Sequence, residues 1–545
     1  MTVTAPTSPA PPPTSPAGSR PTSATRHLNV ASYIDEDFCR RSLDEVYHQP
    51  RRVVAPSFAF DLATVLAHCR RARRIVLVRD AILIGVVILT ACWSPLGLVI
   101  GLLTLSGIYT ARSGFQVLAE ITKQFRDGAA KPFALFVKLL TFSLGLIALN
   151  ITALVLLPLV TVAGLAISSD PTTLLGLAAV GSLVSIVGLC GPPVATALIR
   201  WNQATKHGPG QPAMPMATDP RLDAIRVEQA GNATVYSGYS PFIGSGSHID
   251  TSGFALRLIQ APRDFGDRTD EDSREYTELP FSAAELITHV RARLGQLVVA
   301  TEPERRLPGL TVTDRIFVAG NEVSQLATHI NPAYLPAIIA NPVDAARHYL
   351  ACQVSSWDGE LVTSVYVHFA LQGKSLYVET VTYALTPCDE EYRIVDDVRS
   401  LGPVPYLKVG WKGLLNAPLE VSRAPWNLVS AGVRAVIRAV QPTTTAQIRR
   451  GYDYGASVSI REDAADGGVR NDFQMQDVEK YRKIIVRRAL AATLDFLVMK
   501  GVDSAEFRQR SNVMINSGLY VGAGAQVGDI GNITGSFNSD ALTKG

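Results

Sequence analysis

Residues 81–111 read AILIGVVILTACWSPLGLVIGLLTLSGIYTA, a run with no charged side chain. A helix rising 1.5 Å per residue needs only about 20 apolar residues to cross a hydrocarbon core about 30 Å thick, so this run is too long for one ordinary crossing. Trp93-Ser94-Pro95 divides it, which predicts a transmembrane hairpin over 75–111, with a re-entrant loop as the alternative. Arg70, Arg71, Arg73, Arg74 and Arg79 precede the run, and Arg112, Lys123, Arg126, Lys131 and Lys138 follow it. Basic residues stay on the cytoplasmic side, so both flanks belong there, as two crossings allow and one does not. The five leading arginines are then expected to contact lipid headgroups.

Working outward, residues 112–138 read as a cytoplasmic amphipathic connector. A second apolar block, 139–200, breaks at Ser168-Ser169-Asp170-Pro171 into two further spans. Their connecting loop carries no Lys or Arg and is therefore placed outside. On the last span Ala178/Ser182 and Gly181/Ser185 recur at four-residue spacing, which permits close helix approach. Residues 1–27 are rich in Pro, Ser and Thr and read as a disordered tail without the apolar core of a secretory signal. Residues 28–74 read as a helical juxtamembrane segment, acid-opened near Asp35 and broken at Pro50–Pro56, with Ser57 capping its second helix.

Beyond a Pro/Gly linker at 201–220, residues 221–510 mix both periodicities: strands at 233–236, 254–260, 310–319 and 456–461, helices at 282–297, 344–352, 426–440 and 475–500. Two alternating runs, 361–371 and 375–385, joined by Gln372-Gly373-Lys374, predict a β-hairpin. A Gly-rich tail occupies 511–545 and is expected to be extended. The fold class is thus membrane α-helical, about four transmembrane helices in two hairpins, plus a cytoplasmic α+β domain. The protein is expected to be multi-pass in the plasma membrane with both termini cytoplasmic.

Composition narrows the function. Charged residues are 18% of the chain and the net charge is +3, too little basic excess for a dedicated nucleic-acid binder, so no nucleic-acid partner is expected. Six cysteines without a CxxC pair fit neither a disulfide scaffold nor a zinc ribbon. Asp264-Phe265-Gly266 lacks every companion motif of a kinase, and Gly244-Ser245-Gly246 is followed by a strand where a phosphate loop needs a helix. Only convergence of His348, Cys352 and His368 in space would point to nucleophilic catalysis. No catalytic, cofactor-binding or metal-ligating residue is therefore assigned. The segment Tyr236–Gly246 alternates three aromatics with turn residues, and Tyr236, Tyr239 and Phe242 are the candidate contacts for a protein partner. No ionisable side chain lies in the apolar parts of 139–199, which reads as an anchor more than a conduit.

Tyr33–Phe38, Arg52–Ser57 and Asp61-Leu62 resemble segments of uncharacterised actinobacterial multi-pass membrane proteins, a resemblance that implies the layout and no activity. The reading is a non-enzymatic, membrane-anchored scaffold or sensor that is integral in lipid and binds a cytoplasmic protein partner through its α+β domain. A small channel or transporter with a regulatory domain, and an unrecognised cytoplasmic enzyme, are the alternatives. Oligomeric state stays open.

Overall fold

The computed structural model describes residues 20–127, 132–151, 171–211, 219–262, 271–321, 327–397, 402–439, 453–469 and 471–516, with isolated positions between 152 and 170. Its helices in chain order are α1 (Ser23–Ile34), α2 (Glu36–Ser42), α3 (Leu62–Trp93), α4 (Pro95–Asp127), α5 (Pro132–Ile151), α6 (Pro171–Thr205), α7 (Pro220–Glu228), α8 (Ala283–Val299), α9 (Leu335–Ala340), α10 (Pro403–Ala439), α11 (Ile460–Asp463), α12 (Asp472–Met499) and α13 (Ala505–Asn516). The strands are β1 (Ala233–Tyr236), β2 (Ser247–Arg257), β3 (Leu310–Ala319), β4 (Arg347–Ser356), β5 (Leu361–Gln372) and β6 (Ser375–Leu385). The chain forms two compact units, one of Met1–His68, Pro209–Ile394 and Pro442–Gly545, the other of Cys69–Gly208 and Val395–Gln441.

The first unit is α+β. Its six strands run in the order β1-β3-β4-β5-β6-β2, with β1 and β3 parallel and the other neighbours antiparallel. The predicted hairpin is β5–β6, closed by Gly373 and Lys374, both at positive φ (55° and 57°), the conformation whose twist matches the flanking strands. One sheet face is covered by α8 and α12: Leu286, Val290, Leu294, Ile485, Ala489 and Phe496 pack with Leu350, Cys352, Val365 and Val367. α8 starts where Ser282 and Glu285 form a capping box. The opposite face carries Phe317, Tyr349, Tyr366 and Val381.

Several expectations move. Residues 347–356 form a strand where a helix over 344–352 was expected, because Leu350, Cys352 and Val354 alternate into the core at period two. Residues 456–461 make a single bridge, Ala456 to Tyr236, before α11 begins. Residues 23–27, expected in the disordered tail, are helical: Thr22 caps α1, accepting from the Thr25 N–H, while residues 1–19 lie outside the described residues. α13 reaches Asn516, whereas 517–545, most of the predicted tail, and Asp264-Phe265-Gly266 lie outside the described residues.

The second unit is helical. Among the described residues three helices are long and apolar enough to cross a membrane: Leu62–Trp93, Pro95–Thr122 and Gly176–Thr205. The first two flank the predicted Trp93-Ser94-Pro95 break, where the Ser94 hydroxyl accepts from the Gly97 N–H at 3.3 Å and donates to the Leu177 carbonyl at 3.1 Å. The remaining predicted span falls on α5, which contains the shorter apolar helix Phe136–Ile147, and on positions outside the described residues. Three boundaries shift. α3 opens at Leu62 and runs unbroken through the arginine cluster, so the segment before the span is not a separate helix. Residues 112–127 of the connector continue α4. Residues 395–441, expected inside the α+β domain, group instead with the apolar helices, and α10 starts well before residue 426.

Small residues set the contact between α4 and α6. A Cβ at Gly97 would lie 2.4 Å from the Gly181 carbonyl carbon, and one at Gly101 would lie 2.6 Å from the Ser185 Cβ. Backbones this close need glycine, so the Gly181/Ser185 spacing marks a helix contact.

Candidate partner-binding site

The segment between β1 and β2 holds the predicted contact residues, and its three aromatics have three fates. Phe242 is buried as a plug in the open sheet face, with ring centroids 4.8 Å from Phe317, 4.8 Å from Tyr366, 5.1 Å from Tyr383 and 5.3 Å from Tyr349. It is a core residue and not a surface contact, because only that pocket of rings removes its apolar area from water. Tyr236 is half-buried against the same cluster. Tyr239 projects fully into solvent, at 101% relative exposure.

Clamps on both sides of the plug hold the loop. Before it, the Ser237 N–H donates to the Ala456 carbonyl at 2.9 Å and its hydroxyl donates to Asp453 at 2.6 Å. After it, the Gly244 and Gly246 N–H groups both donate to Oε1 of Glu462, at 2.9 and 2.7 Å, while Ser245 and Tyr366 share a 2.6 Å hydroxyl contact. Gly246 sits at φ 92°, and a Cβ there would meet the Ala384 carbonyl oxygen at 2.2 Å, so this turn requires glycine. The Gly244-Ser245-Gly246 element is thus a carboxylate-clamped turn.

A cavity of about 400 Å³ opens beside the clamp, lined among others by Ser237, Ser240, Thr386, Ser457 and Glu462. Burial raises the Glu462 carboxyl to about 7, against the two backbone N–H bonds that favour its charged form. Burial also raises the Tyr366 and Tyr383 phenols, which stay neutral donors at physiological pH. Hydroxyls beside one carboxyl suit a hydrogen-bond-donating or cationic group and repel a phosphate. A folded-state carboxyl near 7 binds its proton more tightly than an unfolded one near 4.3, so stability falls as pH rises from about 4.5 to about 7. Glu462→Gln, which keeps an acceptor oxygen, is expected to flatten that part of the profile. Thermal melts of the detergent-solubilised chain between pH 5 and pH 8 check this: the variant's midpoint should equal or exceed the wild-type midpoint at the alkaline end.

The other sequence candidates separate. His348 faces the helix side, its Nε2 2.8 Å from Asp314, which also pairs with Arg291. His368 lies on the opposite face, its ring tilted against Tyr349 with centroids 4.9 Å apart. Cys352 is enclosed in the core, and burial pushes its thiol up to about 12. These three residues do not share a cleft. Arg71 and Arg74 are exposed, as headgroup contact requires, and Arg70 and Arg73 are partly so. Arg79 is corrected: it is buried, with its guanidinium 2.8 Å from both Asp80 and Glu420.

Among the described residues, His27, Glu360 and Cys388 bring potential ligand atoms within 4.8 Å of one another. His27 Nδ1 lies 2.6 Å from Glu360 Oε1, while Oε2 accepts from Arg393 at 2.6 Å and from the Cys388 N–H at 3.0 Å. Burial alone would raise this carboxyl, but His27, Arg461 and Arg393 outweigh it and hold it at about 2. The Cys388 thiol is pushed up to about 12 by burial. A cation would have to displace guanidinium charge and deprotonate that thiol, so the group fits an ion-pair lock better than a metal seat.

The AbeC-like domain family matches residues 251–530, more than half of the sequence. The chain belongs to that family. No curated protein and no solved structure matches the chain. The AbeC-like region opens inside β2, so it contains the seat of the loop (Tyr349, Tyr366, Tyr383, Thr386 and Glu462) but not the loop itself. It also contains α10. Sequence reasoning missed Glu462. The available signal was Ser459-x-x-Glu462, in which the Ser459 hydroxyl accepts from the Glu462 N–H and starts α11, but no apolar periodicity follows to draw attention to it.

Proposed function

We propose that this protein is a membrane-anchored sensor or scaffold whose α+β unit binds a cytoplasmic protein partner at the loop around Tyr239, which is seated on the AbeC-like region. The apolar helices fix the chain in the plasma membrane, with both termini on the cytoplasmic side, and the α+β domain does the recognising. The observation that carries the reading is a fully exposed tyrosine on a loop pinned by Phe242 and Glu462. A rigid exposed aromatic gives contact area at little entropic cost, and the neighbouring hydroxyl- and carboxyl-lined cavity suits a Lys, Arg or amide group from the partner. A photo-crosslinking residue at position 239 of the full-length protein, in its native host, tests this. A discrete adduct is expected at 239 and none at Val343, a solvent-exposed control on the same unit. Tyr239→Ala should leave the melting midpoint unchanged while weakening capture of that partner tenfold or more. The same adducts at both positions, or none at 239, sink the reading.

A second reading, a small channel or transporter, draws on Asp80, which is fully buried in the helical unit beside Arg79 and Asn427. Ion or solute flux through vesicles holding the full-length protein, abolished by Asp80→Asn, would favour it.

A further inference from the structure

α10 carries three faces along one axis. Its inner face is small and packed: a Cβ at Gly413 would lie 3.0 Å from the Ala197 Cβ of α6, and Ala417 and Ala424 are buried with Leu83, Leu105 and Leu189 of α3, α4 and α6. Next to that face, Glu420 pairs with Arg79 at 2.8 Å and Asn427 donates to Asp80 at 3.0 Å, which fixes the helix's rotation. The outward face holds Leu407, Trp411, Trp426, Val429, Val433 and Val436, each more than half exposed. At roughly 100° per residue these six fall within a stripe roughly 100° wide, with exposed Lys408, Lys412 and Arg423 on one flank.

We propose that this outward face is bedded in the lipid bilayer at the boundary between acyl chains and headgroups, with Lys408, Lys412 and Arg423 directed to anionic phosphates. The AbeC-like region then supplies its own membrane-contact helix, a role distinct from the crossing helices. The inference rests on reading the apolar helices as membrane-spanning. Lipid is the occupant because the inner face of α10 is already committed to those helices. Their own outward side chains, such as Leu183 and Val187 on α6 and Ile88 on α3, are apolar and exposed, so the stripe extends a surface that must meet acyl chains. With Lys408, Lys412, Glu420, Arg423 and Arg434 along it, α10 is too polar to cross. Two tryptophans on an apolar stripe with cations beside it are what a helix lying in the interface presents.

Single cysteines at Val429 and Val433, in the full-length protein with Cys92→Ser and Cys190→Ser, test the placement in vesicles of mixed phosphatidylcholine and phosphatidylglycerol. Val187→Cys serves as the span control and Val299→Cys as the water control, and a charged maleimide is present on both sides. Labelling at 429 and 433 is expected to be at least tenfold slower than at 299 and to match it after denaturation in detergent. Replacing Lys408, Lys412 and Arg423 by Gln should speed labelling at 429 in the anionic vesicles and leave it unchanged in pure phosphatidylcholine. Fast labelling at 429 with slow labelling at 187 overturns the inference and spares the spans. Fast labelling at both overturns the spans and the inference with them. Slow labelling accompanied by a 429–429 cross-link between two chains also overturns it, assigning the face to a second copy.

Discussion

Glu360→Ala is expected to cost about 3–5 kcal/mol of stability, the loss seen when one partner of a buried charge network is removed. The carboxylate is enclosed, and around it stand His27 at 2.6 Å, Arg393 at 2.6 Å and the wholly buried Arg461, which donates to the Glu360 carbonyl at 2.8 Å. Without Glu360 the buried His27 and Arg461 and the half-buried Arg393 lose their counter-charge, and α1 loses the anchor it makes through His27. Urea unfolding of the detergent-solubilised protein, followed by near-ultraviolet dichroism, reads the change. Glu360→Gln should lose less, because the amide oxygen still accepts hydrogen bonds. The pH dependence has a definite sign. A carboxyl held at about 2 in the fold and titrating near 4.3 when unfolded contributes fully above about 4.5 and loses its contribution as pH falls toward 2. The gap between wild type and variant must therefore narrow below about pH 4.5. A gap that stays constant there would show that packing, not charge, sets the effect.

Gly181→Val is expected to have the second large effect. A Cβ at this position would sit 2.1 Å from the Ser94 hydroxyl oxygen, and its partner Gly97 faces the Gly181 backbone itself. Neither helix can yield by a rotamer change alone, so α4 and α6 must separate, breaking the Ser94–Leu177 hydrogen bond and opening the packing around Leu83, Leu105 and Leu189. Overpacking of this kind costs about 1–3 kcal/mol or more. Gly107→Val on α4, where nothing lies within 4 Å of the added carbon, is the matched control. Size-exclusion profiles and melting midpoints in one detergent compare the two. Equal behaviour would mean that the close approach is not what holds these helices.

Much of this architecture is legible in the sequence because its signals are local. Trp93-Ser94-Pro95 ends one helix and caps the next, Gly373-Lys374 supplies the positive φ that a two-residue hairpin needs, and Ser282/Glu285 announces α8. What was misplaced depends on partners far along the chain. Arg79 reads as the last of a solvated cluster until Glu420, 341 positions later, takes its charge. α10 reads as a domain helix until α6 is found against it. At the candidate site the aromatic segment was visible, but which ring is plug and which is contact depends on Tyr349, Tyr366 and Tyr383 rising from three strands to receive Phe242. Glu462 was invisible because a carboxylate serving two glycine N–H groups leaves no periodic trace.

The apolar helices are proposed to hold this chain in a bilayer while its α+β unit does the recognising. Alkaline carbonate extraction of membranes from cells expressing the full-length protein tests it most directly. The chain is expected to stay in the membrane pellet after extraction and to leave it only in detergent; release of the intact chain into the carbonate supernatant would contradict a bilayer anchor.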